Sequence, residues 1–429
     1  LVRKNLFRGW SWILQRSYNM NIAIIGGGAA GFFLAINLKQ LSPNISITLF
    51  EKNTTVLAKV LVSGGGRCNL TNSFASIDSL HQAYPRGDKL LKRAFRIFNH
   101  LNTYKWFEDM GIKLVTQEDD CVFPLSQNSN EIIECFQRLS KELGIMVKTS
   151  HNLSSITFND KYALTFNQDN TRVQYFDAVA ITTGGSPNAE GLNYLEALGH
   201  KIVPPVPSLF TFNIPSDPIR ELMGIVAENT IVSLQGTNIK ASGALLITHW
   251  GMSGPAILKL SSYGARIVND KQYQFNILIN WVNEVNCDIL TDYLNSIACK
   301  NPNMKVSNVR PYDISSRLWQ FLLNKAEIPL DRKWGELGKK GINKIMNRLS
   351  NDEYSVHGKG SFRDEFVTSG GVSLESINLN TMESKNCKNM YFAGEVLDID
   401  AITGGFNLQA AWTTAYLAAK AISQQNNSI

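Results

Sequence analysis

Residues 22–25, Ile-Ala-Ile-Ile, are an unbroken apolar run, the pattern of a strand buried on both faces of a parallel sheet. Three glycines follow at Gly26, Gly28 and Gly31, and residues 29–40 read as a helix. Ser42-Pro43-Asn44 ends it. Ile45, Ile47 and Leu49 then alternate with Ser46, Thr48 and Phe50, which predicts a second strand ending at Glu51. Residues 89–110 and 129–143 read as amphipathic helices, with Phe95, Phe98, Leu101, Tyr104 and Trp106 expected in the core. Residues 145–149, 153–158, 162–166 and 172–175 read as strands, and 177–181 as a buried strand that returns the chain to the first sheet.

The pattern changes after Pro204, Pro205 and Pro207. Residues 211–214, 227–234, 243–248 and 273–279 are short β-like runs, and 315–323 and 336–349 look helical. From Phe366 the chain re-enters the first domain. The expected organisation is therefore a discontinuous domain at 20–190 and 364–425. Residues 191–363 form a β-rich insert with a helical subdomain at about 302–352. Residues 389–393 read as a strand, and Gly404-Gly405 open a last helix to about residue 422.

The first strand, glycines, helix, second strand and terminal acid stand in the register of a dinucleotide turn. Gly26 permits the tight exit from the strand, Gly28 lets a pyrophosphate approach the backbone, and Gly31 lets the helix pack close. Helix amides favour the phosphates. Glu51 stands where such folds bind adenosine ribose hydroxyls, and an acid there repels a 2′-phosphate. More than 300 residues later, Gly394-Glu395 end a strand and Gly404-Gly405 start a helix. An acid at that strand end can accept from a ribityl chain, and the helix start suits the charge of a reduced flavin. The two sites together predict FAD. Between them, Ser63-Gly64-Gly65-Gly66-Arg67-Cys68-Asn69 reads as a flat loop against the ligand, with Arg67 able to pair with a phosphate.

Composition narrows the alternatives. The net charge is +6, but Arg3, Lys4, Arg8 and Arg16 supply +4 of it, leaving +2 for the rest. That is no footprint for nucleic acid. Residues 1–19 read as a mis-set start or an extension, with a basic interfacial anchor as the alternative. Six scattered cysteines without C-x-x-C argue against a zinc ribbon and suit a reducing cytosol. The uncharged spans 18–38 and 401–419 hold the glycine cluster and several Thr, Asn and Gln, so neither predicts a spanning helix.

On these segments the chain resembles the bacterial BaiN/YhiN-type flavoproteins, NAD(P)/FAD-dependent oxidoreductases. The shared strings are the Gly26 turn, the Ser63 loop continuing to Asn72, Val122-Phe123-Pro124, Thr183-Gly184-Gly185-Ser186, and the stretch from Thr248 to Pro255. Farther on come Thr368-Ser369-Gly370-Gly371-Val372, Thr381-Met382-Glu383-Ser384-Lys385, and the run from Phe392 to Gln409. One departure is Asp120-Cys121, where the family usually has Gly-Arg. The resemblance implies an α/β, FAD-binding Rossmann-like domain of the two-dinucleotide-binding-domain kind, with an inserted β-barrel-like domain and a small helical subdomain. Residue reading and resemblance together give the expected FAD contacts. They are Gly26, Gly28, Ala29, Ala30, Gly31, Glu51 and Lys52; the loop Ser63, Gly64, Gly65, Gly66, Arg67, Cys68 and Asn69; then Thr183, Gly184, Gly394, Glu395 and Asp398; and Gly404, Gly405, Phe406, Asn407 and Leu408.

The expected activity is that of an FAD-dependent reductase acting on a small-molecule substrate in the cytoplasm, with no nucleic acid partner and no stable membrane insertion. NAD(P)H is the expected donor, visiting an interdomain cleft transiently, because only one G-x-G-x-x-G has the right context. An oxidase returning electrons to dioxygen and a non-enzymatic redox sensor are the alternatives. His249 and Cys68 are the weak catalytic candidates. The plainer readings are a hydrogen-bonded His in a barrel turn and a small packing residue. Ser253 lacks the G-x-S-x-G elbow of a hydrolase.

Overall fold

The computed structural model describes residues 20–426 apart from 168, 187–188 and 361–366. The reading of residues 1–19 and the expected domain boundary at 363–364 lie outside the described residues. The first body is built on a five-stranded parallel sheet. Its strands are β1 (Asn21–Ile25), β2 (Ser46–Phe50), β3 (Met146–Lys148), β4 (Ala178–Ile181) and β5 (Met390–Phe392), in the order β5-β4-β1-β2-β3. The order reverses across β1, which opens a crevice at the carboxyl ends of β1 and β4. Ile22, Ala23 and Ile24 are fully buried because both sheet faces are covered. Helices α1 (Ala29–Leu41) and α2 (Phe406–Asn426) pack together, with the Phe33 and Trp412 rings 5.2 Å apart. A three-stranded antiparallel sheet (Leu153–Asn159, Lys161–Phe166, Asp169–Phe176) sends Phe166 to stack on Phe50 at 4.3 Å.

The second body is a six-stranded antiparallel sheet. In sheet order its strands are Phe212–Asn213, Gly251–Ser253, Lys240–Ile247, Val226–Leu234, Gln274–Asn280 and Asp352–His357. Phe212 bridges Lys359, just past the last strand, so the first and last strands meet and the sheet nearly closes as a barrel. Helices Cys287–Lys300, Ser316–Lys325 and Gly338–Ser350 pack on it. The two bodies have separate cores. One gathers Met20 to Leu195 and Val372 to Ile422, and the other Phe210 to Val356.

Two strands connect them. Ile202–Ser208 pairs antiparallel with Val367–Val372, so both crossings of the chain lie side by side as one ribbon. The three prolines did not suggest a strand here. They are tolerated because the strand Ile202–Ser208 pairs with a strand on one side only and its register shifts between Val203 and Val206, around Pro204 and Pro205.

Several elements differ from expectation. The 89–110 stretch splits into Asp88–Ala94 and His100–Asp109, because the Asn99 side chain accepts from the Leu101 and Asn102 amides and starts a new helix. Leu101 then sits in the outward first turn and is 64% exposed, against its expected core position. Helices Pro255–Tyr263, Ala265–Asp270 and Cys287–Lys300 are additional to the expected elements. The last was legible in Leu290, Leu294 and Ile297, spaced four and three apart and all buried.

Candidate functional site

At the end of β1 the three glycines have different surroundings. A Cβ on Gly26 (φ +115°) would lie 2.3 Å from the Thr182 carbonyl oxygen, and one on Gly31 would lie 2.0 Å from the Gly26 oxygen. Both glycines are therefore demanded by the fold itself. A Cβ on Gly28 would meet nothing within 4 Å. Gly28 thus borders open space at the start of α1, where no side chain caps the helix and no acid occupies its first turn. Ala29 and Ala30 supply the next amides of this uncapped start, which can receive an anion.

Glu51 follows β2 and is half-buried. One carboxylate oxygen accepts from the Gly27 amide at 2.8 Å, and the other from the Asn53 amide and side chain, both at 2.9 Å. This fixes the acid beside the glycine turn. Lys52 is exposed.

The Ser63 loop ends helix Ala58–Gly66, whose last turn breaks at Ser63 and runs left-handed through Gly64 and Gly65. Gly65 borders open space, while Gly66 has a φ of +82°. Cys68 (φ +61°) is fully buried, and burial pushes its thiol up to about 12, with a hydrogen bond from Ser63 opposing. A thiol that stays protonated fits the packing role. Arg67 turns back on its own loop, donating to Gly64 O and Gln127 Oε1 with its guanidinium 4.3 Å over the Phe123 ring. Asn69 can donate its amide nitrogen to Thr71 O at 2.9 Å and accept from the Gly405 amide at 3.2 Å. That contact joins the loop to the C-terminal turn.

The two glycine turns, remote in sequence, meet in space. A Cβ on Gly394 would lie 2.8 Å from that of Ala30, and one on Gly405 would lie 2.2 Å from the Thr71 oxygen. Gly404 accepts from the Asn72 side chain at 3.1 Å. Asn407 bonds Ala401 in both directions and fixes the preceding loop. The carbonyl of Phe406 accepts from Tyr84, whereas Leu408 is half-buried. Glu395 accepts from the Thr368 amide at 2.9 Å and pairs with Lys59 at 2.8 Å. Gly185 must be glycine because Glu395 and Thr368 occupy its Cβ space, while Gly184 and exposed Thr183 border the crevice.

Asp398 turns elsewhere. It pairs with Arg266 of the second body at 3.2 Å, and burial pushes its carboxyl up while Arg266 draws it back. Neighbouring Asp400 is fully buried and forms a bidentate pair with Arg86, which also donates to Ser262 O at 2.8 Å. His249 is exposed on the barrel turn between Thr248 and Gly251, with its ring against Trp250. Lys59, Asn53 and Arg86 were missed in the sequence. Each is a lone polar residue whose partner comes from packing, and only Asn53, two residues after Glu51, carries a local signal. An interdomain cleft of about 300 Å³ is lined by His81, Arg86, Lys240 and Tyr263.

A family model described as the HI0933-like protein Rossmann domain matches residues 20–421. The chain is 27% identical over 418 residues to a ribosomal RNA dihydrouridine synthase of Haemophilus influenzae, covering 95% of this chain and 99% of that one. It is 24% identical over 412 residues to a 3-dehydro-bile acid delta(4,6)-reductase of Clostridium scindens, covering 94% and 99%. A ribosomal RNA dihydrouridine synthase of Escherichia coli K12 is 26% identical over 406 residues, covering 92% and 96%.

Proposed function

As the chain belongs to the HI0933-like Rossmann-domain family, we propose that it is an FAD-dependent reductase acting on a carbon–carbon double bond conjugated to a carbonyl. The observation that carries the cofactor is the meeting of the two glycine turns, Gly394 against Ala30, beside open space at Gly28 and Gly65. One elongated ligand can be held there at both ends. The uncapped start of α1 would hold the pyrophosphate, and Glu51, already oriented by Gly27 and Asn53, would accept from ribose hydroxyls. Glu395 would serve the ribityl chain, held in place by Thr368 and Lys59. The start of α2 would face the ring. When bound, FAD supplies the two-electron chemistry that no side chain can.

The activities of the relatives support the substrate class. Both activities in their names saturate a double bond next to a carbonyl, one in a uracil ring and one in an oxo-steroid. The net change is addition of two electrons and two protons, with NAD(P)H as the proposed electron source. The cleft lined by Arg86, Lys240 and Tyr263 is the proposed entry for substrate and donor, and cytoplasmic location is part of the same reading.

Anaerobic titration tests this. The purified protein is expected to take up FAD, to be bleached by NADH or NADPH, and to recover its colour with a dienone steroid or a uridine-containing RNA. A colourless protein that takes up no FAD overturns the cofactor. Fast reoxidation by dioxygen with an amine donor would replace the reductase by an oxidase.

A further inference from the structure

We propose that the helical unit at residues 287–350 is a docking surface for structured RNA. The proposal rests on the reductase reading for the choice of a nucleic acid, in which a uracil ring would be the reducible group. The surface itself is argued from charge. Residues 287–350 hold eleven Lys and Arg against six Asp and Glu, a net of +5. Residues 20–429 carry only +2, so the rest of that span is acidic at −3. The small net charge of the whole chain thus averages an acidic body with a basic unit. That is why composition alone predicted no nucleic acid partner.

Three of the eleven cations are paired, Lys325 and Arg348 with buried Asp352 and Lys344 with Glu327. The other eight are exposed, and none forms an ion pair among the described residues. Five of them, Lys305, Arg332, Lys333, Lys339 and Lys340, fall between residues 305 and 340. Lys305 and Lys333 face each other across an isolated antiparallel bridge, and the next residue, Val306, donates to the Arg332 carbonyl at 2.8 Å. Like charges directly opposed across a bridge cost stability. Lys339 and Lys340 lie in the first turn of helix Gly338–Ser350, which has no acid there and no side-chain cap. Cations are disfavoured at that end of the macrodipole. Both arrangements oppose folding energetics, and a row of phosphates would relieve both.

The same unit presents Tyr293 and Tyr312, each 37% exposed, with ring centroids 4.5 Å apart. Exposed aromatic rings on a basic unit suit unpaired bases, which a lipid headgroup layer or an acidic protein does not offer.

The test uses the full-length, FAD-loaded protein with Lys333→Ala, Lys339→Ala and Lys340→Ala combined. The probes are a fluorescent ribosomal RNA hairpin with an unpaired loop and vesicles rich in phosphatidylserine. The parent is expected to bind the hairpin with a steep salt dependence. The triple variant should bind it at least roughly tenfold more weakly, with a salt slope smaller by about one for each lysine that holds a phosphate. Its melting temperature should be no lower than the parent's, because like-charge repulsion is removed. Unchanged hairpin affinity and slope in the triple variant would overturn the docking surface. So would vesicle binding that the triple substitution abolishes while the hairpin is ignored. Hairpin binding needs no turnover, so loss of the reductase reading would appear separately, as a flavin that no conjugated acceptor reoxidises.

Discussion

At the scale of single residues, the glycine turn separates two demands that one motif conflates. Gly31 is fixed by the protein's own backbone, since an added Cβ would lie 2.0 Å from the Gly26 oxygen. Gly28 borders empty space. Gly31→Ala is therefore expected to cost about 1–3 kcal/mol of stability by overpacking. Gly28→Ala should stay within about 0.5 kcal/mol of the parent yet lose FAD. Urea unfolding and flavin absorbance of the two purified variants check this together. Glu51→Ala is expected to weaken FAD retention, read from flavin absorbance after gel filtration. Protein that stays fully yellow would remove the ribose assignment. The glycines and Glu51 were legible in the sequence because their spacing is local. Lys59 and Thr368, which hold Glu395, were not, because nothing near them in the chain names their partner.

Among the elements, the edge of the parallel sheet shows how a distinctive string can be structural. Thr381 to Lys385 runs beside β5, where Ser384 donates its amide to Met390 O at 2.7 Å. It meets His200, whose ring is 2% exposed and bonds Leu195 O through Nδ1 at 2.9 Å and Ser384 Oγ through Nε2 at 2.8 Å. Burial holds His200 below its ordinary 6.5, with the Leu195 carbonyl opposing. As pH falls through 6.5 the unfolded chain takes up a proton that the folded ring resists, so stability is lost on the acid side and unaffected well above it. The thermal midpoint is expected to fall from pH 7 to pH 5.5, and His200→Gln should flatten that slope. Strands and long helices of the first body could be read from periodicity alone. The strand Ile202–Ser208 could not, because prolines mask a strand whose partner, Val367–Val372, is remote in sequence.

For the molecule as a whole, the two bodies are tied by charge as well as by chain. Arg86 of the first body reaches Asp400, which also accepts from Ser208 on the ribbon at 2.9 Å, and Ser262 of the second. Asp400 is fully buried. Asp400→Ala leaves the Arg86 charge without its carboxylate, and breaking such a pair costs about 3–5 kcal/mol. Calorimetry is expected to resolve two melting transitions in this variant, where the parent's bodies melt more nearly together. No helix among the described residues is long and apolar enough to cross a membrane.

The paired crossings have a practical meaning. Ser208 stands opposite Val367, so the point where the chain leaves the flavin-type body and the point where it returns are neighbours on adjacent strands. A short hairpin turn could bridge them. The whole segment in between behaves as a cassette on a single stalk, open to exchange for that of a relative. Chimaeras made at this junction would show whether substrate choice travels with the cassette while the colour stays behind.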